Sequence, residues 1–152
     1  MEHQLNLPVF DIKTRTLNGQ KQVFDIIRKK FVALTPEEWV RQHFINYLVE
    51  HKQYPIGLIS VEMPVMINSM PQRADIVVYN RKAKPVVVVE CKAPTVTLSN
   101  STYTQAARYN LVLKAQVLVV TNGVSHFCSR IDLVKKSFSP LTEIPNFVEV
   151  DF

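Results

Sequence analysis

The stretch VVVVECKAP, residues 86–94, poses the question on which the rest of the sequence turns. Four consecutive valines mark a strand buried on both faces. The strand then runs directly into Glu90, Cys91 and Lys92. A carboxylate and an ammonium beside a core cost free energy unless they are paired, solvated or bound to a metal. Alternate side chains of a strand share a face, so Glu90 and Lys92 point one way and Cys91 the other. Cys91 is therefore a core residue by this reading.

Upstream of the valines, IGLISVEMPVMIN (56–68) and RADIVVYN (73–80) alternate with period two, as strands do. With PVVVVECK (85–92) they predict three strands on short connections, hence antiparallel neighbours. A hairpin closed by NRKAKP pairs Tyr79 with Val86, Val77 with Val88 and Asp75 with Glu90. Two carboxylates then lie side by side on one face, with Lys92 beyond them. Like charges directly opposed on a sheet destabilise it, and a divalent cation removes that penalty. Mg²⁺ uses one or two carboxylates with waters and phosphate oxygens. On this reading Asp75→Ala relieves a repulsion in the metal-free protein. The plain alternative is an exposed Glu–Lys pair at a strand end.

Before the strands, TPEEWVRQHFINYLVEHKQ carries a helix start: Thr35 as N-cap, Pro36 in the first position and Glu38 three after the cap. Trp39, Val40, Phe44, Tyr47 and Leu48 give that helix an apolar stripe, which leaves His43 and His51 as helix-surface residues. Glu38 has two readings, a capping-box residue or a member of the charged site. After the strands, STYTQAARYNLVLK predicts a second helix that places Gln105 and Tyr109 four apart on one face. QVLVV and SHFCSR follow as strands around an Asn122-Gly123 turn. The order is α-β-β-β-α-β(-β): a single-domain α/β sandwich with a mixed central sheet flanked by helices. Residues 1–23 read as an extended lead-in, 24–132 as the core and 133–152 as a largely irregular tail. DIIRKKFVA (25–33) fits either a short helix or a strand.

The chain has 152 residues, with eighteen Lys and Arg against thirteen Asp and Glu, a net +5 that favours a polyanionic partner. Arg28, Lys29, Lys30, Arg81, Lys82 and Lys84 are the candidate phosphate contacts. Its three glycines form no phosphate loop, and His3, His43, His51 and His126 show no zinc spacing. Cys91 and Cys128 make neither a metal pattern nor a disulfide framework. No apolar run approaches the ~20 residues of a membrane span. MEHQLNLPVF lacks the pattern of a signal peptide, so a cytoplasmic location is expected.

Taken together, RADIVVYN, PVVVVECKAP, QAARY and VVTNG resemble the PD-(D/E)XK nuclease superfamily. More closely, they resemble the N-terminal nuclease domain of type I restriction enzyme R subunits, as does RKKFVALTPEEWVRQHF before them. The similarity runs from about Phe24 to Asp132, and it implies a restriction-endonuclease-like sandwich. It further implies a DNA endonuclease using Mg²⁺, with Mn²⁺ able to substitute. Asp75, Glu90 and Lys92 match the catalytic residues. Asp75, Glu90 and the backbone carbonyl of Cys91 match the metal ligands, with Glu38 as a further candidate. Gln105 and Tyr109 match the supporting Q-x-x-x-Y motif. Ala74 stands where relatives usually carry Pro. R subunits continue into helicase motors of which this sequence has no trace, so protein subunits supplying specificity are expected as partners. The alternative is a non-catalytic DNA-binding or accessory module of the same fold.

Overall fold

The computed structural model describes residues 4–152. His3 lies outside them. The valine run forms β6 (Pro85–Cys91) in the interior of a six-stranded sheet ordered β4-β5-β6-β7-β8-β9. The other strands are β4 (Ile59–Ile67), β5 (Met70–Tyr79), β7 (Val117–Thr121), β8 (His126–Asp132) and β9 (Ser137–Leu141). All neighbours are antiparallel except β6 and β7. That parallel pair requires a crossover, which α2 (Asn100–Leu113) supplies. The result is the mixed, helix-flanked α/β architecture expected.

The uninterrupted apolar run follows from burial on both faces. On one side Val87 and Val89 pack with Val40, Phe44, Ile45 and Leu48 of α1 (Pro36–His51). On the other, Val88 packs with Val77 and with Ala106 and Tyr109 of α2. Helix α1 begins as its sequence predicts, with Thr35 Oγ1 accepting the Glu38 amide at 3.0 Å. Not all its polar positions reach solvent. His43 is 7% exposed and stands edge-on to Trp39 at 4.3 Å, a correction to its expected place on the helix surface.

Three further expectations change. The lead-in and the ambiguous 25–33 segment form an antiparallel sheet of β1 (Thr14–Leu17), β2 (Gln20–Asp25) and β3 (Lys30–Ala33). Its first hairpin turns on Asn18 and Gly19, both at positive φ, an Asn-Gly signal that short flanking strands obscured. The tail adds β9 to the sheet edge and buries Ile144, Phe147 and Val150 against the α1-side core. In the β5–β6 hairpin, Val77 pairs with Val88 as expected, but a shift after Val78 pairs Tyr79 with Pro85 instead of Val86. The loop therefore holds five residues, Asn80 to Lys84, and Asn80 Oδ1 accepts the amides of Lys82 and Lys84.

The N-terminal segment is strapped across the β7–β8 turn, where the Asn6 amide donates to Gly123 O at 2.8 Å. Gly123 has φ +84°, and a Cβ there would lie 2.7 Å from Leu5 Cδ2. Gly123→Ala should thus cost about 1–2 kcal/mol, from strain and overpacking together. Chemical denaturation of the two proteins measures it.

Candidate active site

The last ladder pair of the hairpin on this side is Ile76 with Val89, and one step beyond it stand Asp75 and Glu90. Both are buried, at 9% and 5% exposure. Their side chains leave the α2 face of the sheet, the face of Val77 and Val88. Asp75 Oδ2 accepts the Cys91 amide at 2.8 Å, which fixes the carboxylate across the strand end. The Cys91 thiol lies in the opposite core, with its pKa pushed well up by burial. On the other side of Asp75 the β4–β5 ladder skips a step. Val61 pairs with Ile76 and Met63 with Ala74, while Glu62 between them adopts φ 51°.

Burial raises the pKa of both carboxyls, and their mutual repulsion adds to it for Glu90, pushing it up to about 9. Asp75 is partly relieved by the Cys91 amide and by Arg41, whose Nη2 is 3.9 Å from Oδ1. Burial and the neighbouring Asp75 carboxyl thus favour the protonated form of Glu90. Among the described residues the buried Glu90 Oε2 has no hydrogen-bond partner. Lys92 Nζ lies 3.7 Å from Glu90 Oε1 and donates to Gln105 Oε1 at 3.2 Å. Tyr109, four residues along α2, is buried beneath, its hydroxyl kept protonated by burial and by Glu90 and Asp75. The structure thus brings together Asp75, Glu90, Lys92, Gln105 and Tyr109.

Glu38 is placed differently. It faces Arg28 Nη2 and Arg41 Nε, each at 3.2 Å, and accepts from Gln42 at 3.0 Å. Its carboxylate faces these cations and does not close the reciprocal half of a capping box. The neighbouring Glu37 is the helix carboxylate that senses the site: burial raises its pKa, then Asp75, while Lys92 and Arg41 lower it. Glu37, Arg41 and Glu62 are neighbours of the carboxyl pair that the sequence reading missed. The signal was available for Glu62, the one charge inside the strand ISVEMPVMI.

Arg28, expected at a DNA surface, instead joins three carboxylates: Asp25, Glu38 and, at 3.3 Å, Glu62. Burial disfavours the Asp25 anion, but Arg28 and two backbone amides hold its pKa below the ordinary value. Lys29 and Lys30 are exposed on the same turn. Arg81, Lys82 and Lys84 are exposed at the far end of the β5–β6 hairpin, about 16 Å from Asp75 at strand rise. Arg81 also pairs there with Asp151 at 3.2 Å.

Among the described residues no three His, Cys, Asp or Glu side chains converge as a metal cage. Two carboxyls, one of them with a buried oxygen that has no partner among the described residues, are a donor set of the kind Mg²⁺ uses alongside water and phosphate oxygens.

Residues 36–145 match the family model described as "Type I restriction enzyme R protein N terminus (HSDR_N)". Among solved structures, the chain is similar to "The fragment structure of a putative HsdR subunit of a type I restriction enzyme from Vibrio vulnificus YJ016". The TM-score is 0.56 at 19% identity, over 77% of this chain and 24% of that one, a likeness of fold. This chain thus spans about a quarter of that chain's length. No curated protein matches the sequence.

In metal-free buffer the folded state keeps a proton on Glu90 that the unfolded chain releases above its ordinary pKa of 4.5. Stability should therefore fall as pH rises from 4.5 toward about 9. Glu90→Gln, which keeps the shape without the proton, should flatten that slope in thermal melts with EDTA. Asp75→Ala, by contrast, should destabilise by about 1–3 kcal/mol, because it orphans the Cys91 amide. Arg28→Ala should cost about 2–3 kcal/mol by leaving the buried Asp25 carboxylate without its cation, while Lys29→Ala stays within about 0.5 kcal/mol.

Proposed function

Because this chain belongs to the family of type I restriction enzyme R protein N termini, we propose that it is a nuclease module hydrolysing DNA phosphodiester bonds with Mg²⁺. The observation that carries the proposal is the buried Asp75–Glu90 pair, with one oxygen unpartnered and the Lys92 ammonium 3.7 Å away. On this reading the chain is of the PD-(D/E)XK type, and Asp75, Glu90 and the Cys91 carbonyl would hold the metal. Once bound, the ion would polarise the phosphate and lower the pKa of a water.

The chain's own groups have separable tasks. Asp75 is pre-aimed by the Cys91 amide, so its carboxylate needs no reorganisation to accept a cation. Glu90 must give up its proton as the cation arrives, which couples metal capture to pH. Lys92 is steered by Gln105, and its charge would orient the attacking water and stabilise negative charge gathering on the phosphate. Tyr109 closes the floor and excludes water from below the carboxyls. Glu37 adds negative potential at the rim and could hold a metal-bound water. DNA is the substrate and further subunits the partners in this proposal, in a cytoplasmic setting. No helix among the described residues is long and apolar enough to cross a membrane.

Plasmid DNA incubated with Mg²⁺ or Mn²⁺ tests the proposal. Wild type should nick or linearise it, and Lys92→Ala should lose about 10²-fold or more in rate while binding metal by calorimetry as wild type does. Wild-type cleavage no greater than that of Lys92→Ala refutes catalysis and leaves an accessory module.

A further inference from the structure

The small sheet ahead of α1 carries a charge imbalance that the proposed active site does not use. Residues 13–33 contain six Lys and Arg against one Asp, a balance of +5 equal to the formal charge of the whole chain. The remainder of the molecule is therefore neutral overall. Lys13 belongs with this sheet because its carbonyl accepts the Phe24 amide at 2.9 Å.

The imbalance faces solvent. Val23 and Asp25 on one face are fully buried and attach the sheet to the body. The pairing places Lys13, Arg15, Gln22, Phe24 and Phe31 on the opposite face. There Arg15 lies 4.1 Å over the Phe31 ring and donates to Gln22 at 2.7 Å, so its guanidinium is held in place. Lys21 is exposed near the β1–β2 turn, and Lys29 and Lys30 are exposed at the β2–β3 end. Among the described residues none of these five cations has a carboxylate within 4.0 Å. The sixth, Arg28, is committed to carboxylates, and through Glu62 it ties the β2–β3 end to the site. Lys13 and Arg15 stand on that outer face, while the pairing puts Lys21 and Lys30 on the face of Val23 and Asp25, exposed at its two ends, so the positive track follows the rim of the sheet for about 13 Å at strand rise and its β2–β3 end adjoins the Asp75–Glu90 site.

We infer that the β1–β3 sheet is a DNA-phosphate clamp that delivers a duplex to the Asp75–Glu90 cleft. Its substrate class rests on the nuclease reading above, although the charge argument stands without it. Double-stranded DNA presents one charge per ~1.7 Å of axis, so a track of this length faces several phosphates. Lys and Arg at fixed spacing on a strand suit backbone contact without base reading. The clamp supplies affinity and orientation, and sequence choice falls to other parts or partners.

The test measures binding of a short fluorescent duplex in EDTA across a sodium chloride series, so cleavage plays no part. Lys13→Gln, Arg15→Gln and Lys21→Gln combined should reduce the slope of log affinity against log salt by about 2–3. Lys114→Gln, Lys135→Gln and Lys136→Gln remove the same charge from exposed sites in no proposed contact, and should leave the slope near wild type. Arg15→Lys alone should retain the wild-type slope, and thermal melts confirm folding of each variant. An unchanged slope in the first variant, an equal loss in the second, or no wild-type binding at low salt overturns the inference. Clamp-dependent binding by a protein that never cleaves supports the clamp and refutes only the nuclease. Cleavage indifferent to the clamp substitutions refutes only the clamp.

Discussion

Two carboxyl groups confined at the end of a buried strand organise this molecule. Asp75 and Glu90 sit one step past the last pair of the β5–β6 ladder, both buried, and among the described residues Glu90 Oε2 has no hydrogen-bond partner. The valines behind them are what make that position tolerable. Buried on both faces of the sheet, they give β6 a rigidity that holds Glu90 where its charge is costly. The rest of the site can be read as a response to that cost: an amide for Asp75, a distant guanidinium, an ammonium steered by Gln105, and a proton retained on Glu90.

A second charged layer stands outside the first. Asp25, Arg28, Glu38, Arg41 and Glu62 alternate in sign from the small sheet through α1 to the edge strand. Buried ion pairs seldom add net stability, since desolvation offsets attraction. What this layer contributes is position. It locks the β2–β3 turn, the start of α1 and the irregular step in β4 around Asp75, so three elements distant in sequence move as one wall of the cleft.

Much of this was legible from residues alone, and the reason is periodicity. Alternation and the valine run identified strands β4, β5 and β6, and Val77 opposite Val88 held although the loop is one residue shorter than expected. The sharing of a face by Glu90 and Lys92 required only the period of a strand. What escaped had no periodic signature. Strands β1 and β3 hold four residues each, too few for alternation to declare itself. The residue shift at Tyr79 depends on how Asn80 binds its own loop, a local preference that a symmetric hairpin does not anticipate. Glu37 and Glu38 are adjacent and chemically alike, and helix rotation alone decides that one faces the arginines and the other the carboxyl pair. Arg28 looked like a surface cation because sequence shows charge but not the partners that neutralise it.

The crossover through α2 has a consequence for how the site is assembled. Asp75, Glu90, Lys92, Gln105 and Tyr109 all arise within residues 75–109, from one hairpin and the βα unit that continues it. Contacts this local close small loops, and small loops close early in folding. The side chains of the candidate site need no contact from α1 or the N-terminal sheet to be brought together, and the arginine layer, drawn from residues 25–41 and Glu62, covers them from outside. Such a segment is a portable cassette: its internal geometry survives insertions elsewhere, while its electrostatic setting depends on whatever the chain supplies to cover it.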